Sequence, residues 1–336
     1  MTAALKHIIS VHDLKMHFPV TKGVLKRKVG TVKAVDGVSF SVERGQTLGI
    51  VGESGSGKTT LGHCLMNNYK ITSGGVYYEQ KCMSDIPASA MRRLRKNMQM
   101  ITQDPFNSLD PRMTVNDIVT EGMVIHKMER SKAARYEVAA RMLGLVGINP
   151  DYGKRFPHEF SGGQRQRIAI ARALAVQPSF IICDEVVSAL DVSIQAQIVT
   201  LLTRLRRELG LTYVFIGHDL SVVRHISDNV AVMYLGKIVE LTNSDNLYSN
   251  PLHPYTRALI AAAPIPDPEL EEAREHVILS GEVPSPIDPP AGCNFCTRCS
   301  RAMDVCFEDE PPFTDVGDGH FVACHLHRGK EAAING

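Results

Sequence analysis

The chain has 336 residues, 44% of them hydrophobic and 22% charged, with a net charge of +1. That is an ordinary globular balance with enough apolar material for one large or two modest domains, and it gives no reason to expect a polyanion such as nucleic acid as the partner. No apolar run approaches the ~18 residues that a membrane-spanning helix needs. The opening MTAALKHIIS places a charge inside a short apolar stretch and lacks the layout of a signal peptide. The chain is therefore expected to be made and kept in the cytoplasm, and to act at a membrane only through a partner.

Along the chain, residues 8 to 50 hold short β-type runs, among them Val32 to Val35 and Val38 to Val42, punctuated by Gly37 and Gly45. The basic stretches Lys22 to Lys28 and Arg92 to Lys96 read as solvated faces. The run Thr47-Leu-Gly-Ile-Val51 reads as a buried strand feeding a glycine-rich loop. Met98-Gln-Met-Ile101 is strand-like, and a mixed segment with helical patches runs from Asp104 to Phe160. Next come a helix over Arg165 to Val176 and two apolar strands, Phe180-Ile-Ile-Cys183 and Tyr213-Val-Phe-Ile216. Strands alternating with helices predict an α/β fold with a largely parallel sheet. From Pro251 the composition changes: prolines recur at 251, 254, 264, 266, 268, 284, 286, 289 and 290. Proline cannot sit inside a central strand or helix. A boundary near residue 250, followed by a loop-rich tail over 251–336, is the expectation.

Gly52-Glu-Ser54-Gly55-Ser56-Gly57-Lys58-Thr59-Thr60 satisfies the phosphate-loop pattern in full and lies between a predicted strand and a predicted helix. Its glycines let backbone N–H groups turn in around a phosphate, and a helix N-terminus adds a favourable dipole. Lys58 suits the β- and γ-phosphates, and the Thr59 hydroxyl suits Mg²⁺. Far along the chain, the apolar strand Phe180 to Cys183 ends in Asp184-Glu185. Acids at a buried strand end are costly unless they serve a cation. Asp184 is the candidate Mg²⁺ carboxylate, and Glu185 the candidate general base that orients the attacking water.

Phe160-Ser161-Gly162-Gly163-Gln164, just before a helix, resembles the L-S-G-G-Q signature of ABC ATPases, with Phe for Leu. Other landmarks of that family follow its order: Gln103 matches the Q-loop, Ser188-Ala-Leu-Asp191 the D-loop, His218 the switch histidine, and Phe18 the aromatic that stacks on adenine. The resemblance covers residues 8 to 250. It implies an ABC-type phosphate-loop NTPase with a RecA-like core, an antiparallel β subdomain and a helical subdomain near 104–165. It also implies two cassettes packed head to tail, so that Ser161, Gly162, Gly163 and Gln164 touch ATP held by the partner. Gln103 would contact Mg²⁺ and water and relay the nucleotide state, while His218 would contact the γ-phosphate. One departure stands out: Val186-Val187 follow the glutamate where the family commonly has proline and threonine, which puts the rigidity of that loop in doubt.

Asn250-Pro-Leu-His-Pro-Tyr-Thr-Arg-Ala-Leu259, Leu279-Ser-Gly-Glu-Val-Pro-Ser-Pro286 and Pro290-Ala-Gly-Cys293 resemble the ATPase subunits of bacterial dipeptide and oligopeptide importers, whose relatives import nickel and other small solutes. Within them the chain is most similar to the F-type subunit. The resemblance implies a homologous D-type ATPase as heterodimer partner, two permease subunits, an extracytoplasmic solute-binding protein, and a peripheral position on the cytoplasmic face of the membrane. An export ATPase or a soluble ABC ATPase of translation or repair is the rival class. The soluble enzymes carry tandem cassettes or a long coiled coil, and neither is legible here. The transported solute is recognised by other chains.

Five of the eight cysteines crowd into the tail, at 293, 296, 299, 306 and 324. In a reducing cytosol such a cluster reads as metal or iron–sulfur ligation before disulfides. The family resemblance implies a [4Fe–4S] cluster on Cys293, Cys299, Cys306 and Cys324, with Cys296 a spare. Zinc is the alternative, followed by disulfides or free thiols.

Overall fold

The computed structural model describes residues 6–23, 27–103, 108–262 and 281–327. Pro264, Pro266, Pro268, Leu279 and Asp104 lie outside the described residues, as does part of the basic stretch after Lys22. In chain order the elements are β1 (His7–Lys22), β2 (Arg27–Glu43), β3 (Thr47–Val51), α1 (Lys58–Leu65), β4 (Ser73–Tyr78), β5 (Lys81–Cys82), α2 (Ala88–Leu94), β6 (Met98–Ile101), α3 (Val115–Ile125), α4 (Lys132–Leu145), α5 (Gly162–Leu174), β7 (Phe180–Asp184), α6 (Val192–Leu209) and β8 (Thr212–Ile216). They continue with α7 (Leu220–Ile226), β9 (Asn229–Tyr234), β10 (Lys237–Asn243), α8 (Ser244–Ser249), α9 (Pro254–Ala262), α10 (Val305–Glu308), β11 (Thr314–Asp315) and β12 (Phe321–Val322). The two β-type runs expected on either side of Gly37 form a single strand, β2, which carries Gly37 at φ 82°.

The chain folds into two compact units. The first takes its described residues from Met1–Ile9, Val42–Thr47 and Tyr78–Ile216. In it β7 pairs in parallel with β6 (Met98↔Phe180) and with β8 (Phe180↔Thr212). Every residue of β7 and β8 is buried, which is why both read as unbroken apolar runs. Helices α3, α4 and α5 pack together. Each starts at a hydroxyl cap, Thr114, Ser131 and Ser161, whose side chain accepts an N–H of the first turn.

The second unit takes its described residues from Ser10–Ser41, Leu48–Tyr77 and Gly217–Gly336. Here β3 pairs in parallel with β9 (Leu48↔Asn229), and β9 turns into antiparallel β10. The turn is Leu235-Gly236, both at positive φ (41° and 81°), the two-residue geometry that matches strand twist. β1 lies between β2 and β4. The tail is more structured than its prolines suggest. β12 adds to β10 through Glu240↔Val322 and Leu241↔Phe321, and β11 adds to β12. Pro254 opens α9, where a missing N–H does no harm.

The tail is fastened at one buried acid. Glu240 on β10 is completely buried and accepts the backbone N–H of Leu252 at 2.7 Å and of His253 at 2.9 Å. His320 Nε2 lies 2.7 Å from the same carboxylate, and Asn246 Nδ2 lies 2.9 Å from His320 Nδ1. Burial pushes the Glu240 pKa up, but hydrogen bonds led by His320 outweigh it and hold it below the ordinary glutamate range.

Glu240→Ala removes the acceptor from three buried donors, each left with a penalty of ~1–3 kcal/mol. A loss of at least ~3 kcal/mol is expected in urea unfolding. The sign with pH follows from the lowered pKa: the Glu240 contribution is present above the unfolded value of ~4.3 and is lost as pH falls through the lower folded value. The wild type should lose stability across that acid window more steeply than Glu240→Ala. Parallel acid profiles would contradict this account.

Candidate nucleotide-binding site

In the second unit, β3 runs straight into the phosphate loop, and α1 begins at Lys58 with Gly57 as its cap. Two glycines are compelled by space. A Cβ on Gly52 would lie 2.1 Å from the Met233 carbonyl oxygen, and one on Gly57 would lie 2.0 Å from the Ala34 carbonyl oxygen. Gly57 also sits at φ 102°, which L side chains rarely adopt. Three residues fasten the loop from outside: Tyr255 Oη accepts the Glu53 N–H (2.9 Å), the Ser56 carbonyl accepts the Gly236 N–H (2.9 Å), and the Arg298 guanidinium grips the Glu53 carboxylate.

Lys58 is buried, and its Nζ donates to the carbonyls of Gly52 (2.8 Å) and Glu53 (2.9 Å), with Ser56 Oγ at 3.4 Å. Ser54, Gly55 and Thr59 are exposed, Thr60 is half-buried and Ser56 is buried. The loop is thus a rigid cradle that presents exposed groups at a helix N-terminus. The same unit holds Phe18, half-buried on β1, edge-on to Tyr69 with ring centroids 5.5 Å apart, and His218, exposed in the turn before α7.

In the first unit, Asp184 ends β7 and is buried. Glu185 follows at φ 49°, a strained conformation for a residue with a side chain. That strain is held by its own N–H donating to Ile216 O at 2.9 Å, and by Ser188, whose N–H and hydroxyl both reach the Glu185 carbonyl, at 3.1 and 2.9 Å. Gln103 Nε2 donates to Glu185 Oε2 at 2.8 Å, joining two residues 82 positions apart. Val186 and Val187 are both buried, so apolar packing occupies the positions where the family commonly has proline and threonine.

The Ser161-to-Gln164 segment is a capping box. Ser161 Oγ accepts the Gln164 N–H at 3.3 Å, and Gln164 Oε1 accepts the Ser161 N–H at 3.0 Å. Ser161 remains exposed at the head of a 13-residue helix. A Cβ on Gly163 would lie 2.6 Å from Ile194 Cγ2 of α6. Asp191 caps α6 by accepting the Ile194 N–H at 3.0 Å and the Ser193 hydroxyl at 2.7 Å, and these bonds, the Ser193 hydroxyl first, hold its carboxyl below the usual range. Its helix cap is therefore a structural role beside the D-loop role implied by resemblance.

Residues 35–188 match the family described as ABC transporter, and residues 239–306 match the family described as oligopeptide/dipeptide transporter, C-terminal region. The chain is 52% identical over 329 residues to the oligopeptide transport ATP-binding protein AppF of Bacillus subtilis (strain 168), covering 97% of this chain and 100% of AppF. The chain belongs to the ABC transporter ATP-binding family. A second relative in this family, YkfD of the same organism, is 53% identical over 96% of this chain and 97% of its own. Among solved structures, the dimeric ATP-binding cassette MJ0796 bound to ADP and Pi aligns with TM-score 0.62 at 26% identity, over 70% of this chain and 98% of that one. CbiO1 from Clostridium perfringens aligns with TM-score 0.63 at 27% identity, over 73% and 92%.

In this ABC ATPase the expected metal cluster is corrected. Among the described residues, which include all five tail cysteines, no group of three or more His, Cys, Asp or Glu is placed to hold a metal ion. Neither a [4Fe–4S] cluster nor zinc on Cys293, Cys299, Cys306 and Cys324 has its ligand set. The cysteines are free thiols. Burial pushes the Cys293 thiol up to about 12, and raises those of Cys296, Cys299 and Cys324 too. The segment is held by other means. Cys293 N–H donates to the Cys306 carbonyl at 2.8 Å, and the buried Phe295 ring packs against Tyr234 and Tyr255 at centroid distances of 5.3 and 5.4 Å. The tail thus has an aromatic core that a count of its prolines did not disclose.

Gly57→Ala should destabilise the second unit by about 2 kcal/mol or more, because clash and left-handed strain add. Gly55→Ala, where a Cβ meets nothing within 4 Å although φ is 79°, should cost only ~1 kcal/mol. Urea midpoints measure the difference, and equal losses at the two positions would contradict the packing argument.

Proposed function

We propose that this chain is the ATP-hydrolysing subunit of an importer for dipeptides or oligopeptides, most like the F-type subunit. In this proposal it pairs with a homologous D-type ATPase and works with two permease subunits and an extracytoplasmic solute-binding protein. It would sit peripherally on the cytoplasmic face of the membrane; no helix among the described residues is long and apolar enough to cross one. The observation that carries the reading is the identity with AppF across the whole of that oligopeptide transport ATP-binding protein, cassette and C-terminal region together.

The roles follow from chemistry. The glycine cradle and Lys58 would hold the β- and γ-phosphates, with Gly52, Ser54, Gly55, Ser56, Gly57, Thr59 and Thr60 lining the loop and Phe18 against the adenine. Each residue proposed for Mg²⁺ would offer an oxygen, the Thr59 hydroxyl, the Asp184 carboxylate and the Gln103 amide, a donor type that suits a hard cation. Mg²⁺, when bound, would neutralise charge on the phosphates. Glu185 would take the proton of the attacking water, its carboxylate aimed by Gln103. His218 would steady the γ-phosphate. Ser161 and the amides of Gly162 and Gly163 would contact the nucleotide of the partner cassette, a use of a helix N-terminus that favours an anion.

The test is ATP hydrolysis by the chain assembled with its permeases in vesicles. Glu185→Gln should bind ATP while losing ~10²–10⁴-fold in turnover. Peptides delivered by the binding protein should stimulate the wild type. Near-normal turnover of Glu185→Gln would remove the base assignment, and stimulation by a non-peptide solute alone would remove the peptide assignment.

A further inference from the structure

The phosphate loop carries an acid, Glu53, immediately after its first glycine. Its carboxylate is gripped by both terminal nitrogens of Arg298, Nη1 to Oε2 at 2.8 Å and Nη2 to Oε1 at 3.1 Å, across 245 residues of chain. The Arg298 side chain is only 6% exposed and that of Glu53 26%. Arg298 sits in a single helical turn, Cys296–Arg298, between the two cysteines 296 and 299, and it also faces Tyr234 Oη at 3.4 Å. The backbone of Glu53 is held as well: its N–H donates to Tyr255 Oη, and its carbonyl accepts from Lys58 Nζ. Glu53 therefore links the C-terminal extension on one side to the phosphate-loop lysine on the other. All of these residues belong to the second unit.

We propose that Arg298 is a positioning residue for the nucleotide: by neutralising and clamping Glu53 it sets the shape and charge of the phosphate loop, so that the C-terminal extension tunes nucleotide affinity. This rests on the phosphate loop being the nucleotide site. A paired, bidentate carboxylate adds no net charge beside an incoming polyphosphate, whereas an unpaired one repels it. Lysine cannot reproduce the two-pronged contact.

The test is MgATP affinity of the full chain by calorimetry, with circular dichroism as a check of folding. Arg298→Ala should weaken binding by about 10-fold, and Arg298→Lys by less. The double variant Glu53→Gln/Arg298→Ala should bind better than Arg298→Ala alone, because the repelling charge is gone; a merely structural arginine would not give that recovery. Glu53→Gln alone keeps the question open to refutation if Arg298→Ala fails to fold, and it should weaken MgATP binding at least 2-fold by releasing the clamp, with affinity falling more steeply as salt rises than in Arg298→Ala, because it leaves a cation rather than an anion unpaired beside the polyphosphate. Lys58→Ala separates the two claims. If Lys58→Ala retains wild-type affinity, the phosphate-loop reading fails. If Lys58→Ala loses binding while folded Arg298→Ala, or Glu53→Gln where that variant does not fold, keeps wild-type affinity, the positioning role fails. A double variant no better than Arg298→Ala overturns the charge argument as well.

Discussion

At Gly52 and Gly57 the phosphate loop lies so close to the carbonyls of Met233 and Ala34 that no side-chain carbon fits between. Those carbonyls belong to the end of β9 and to β2, so the loop is a layer pressed between two strands. This close approach needs glycine at both positions, and it needs the β9–β10 turn in place, since Gly236 N–H bonds to Ser56. A tightly backed loop has little conformational entropy left to lose when an anion binds, which is what preorganisation means here.

The C-terminal region continues the same logic. Its His-Pro-Tyr segment assigns one task to each residue. The His253 amide donates to buried Glu240, Pro254 opens α9, and Tyr255 Oη accepts the Glu53 amide. His253 itself is fully enclosed, and burial pushes its pKa down to about 4; its Nδ1 accepts the Tyr255 N–H at 3.0 Å. A neutral ring is the form that accepts such a bond. The segment is therefore a structural brace that runs from β10 to the phosphate loop.

Much of this was legible because it is local. A loop of fixed spacing between strand and helix, two acids at the end of an apolar strand, and Ser161 three residues before Gln164 each announce themselves within a few positions. What escaped sequence reading depends on distant partners. Arg298 looks like one more basic residue among cysteines until Glu53, 245 positions away, is placed against it. Glu240 looks like a polar break in a strand until His320 and two amides surround it. The cysteine spacing misled for the same reason: spacing along the chain cannot say whether thiols take the geometry of a ligand set, and among the described residues no such set forms, while the Phe295 ring packed on Tyr234 and Tyr255 anchors the segment. Asp191 carries the opposite lesson, since its helix cap could have been read three residues ahead of Ile194.

Amide hydrogen exchange on the full chain, with and without saturating MgATP, tests the central claim most directly. The backed-loop account predicts strong added protection across residues 52 to 60, with the amides of Leu252 and His253 already slow to exchange and unchanged. Unaltered exchange across residues 52 to 60 at saturating MgATP, or fast exchange at Leu252 and His253, would contradict it.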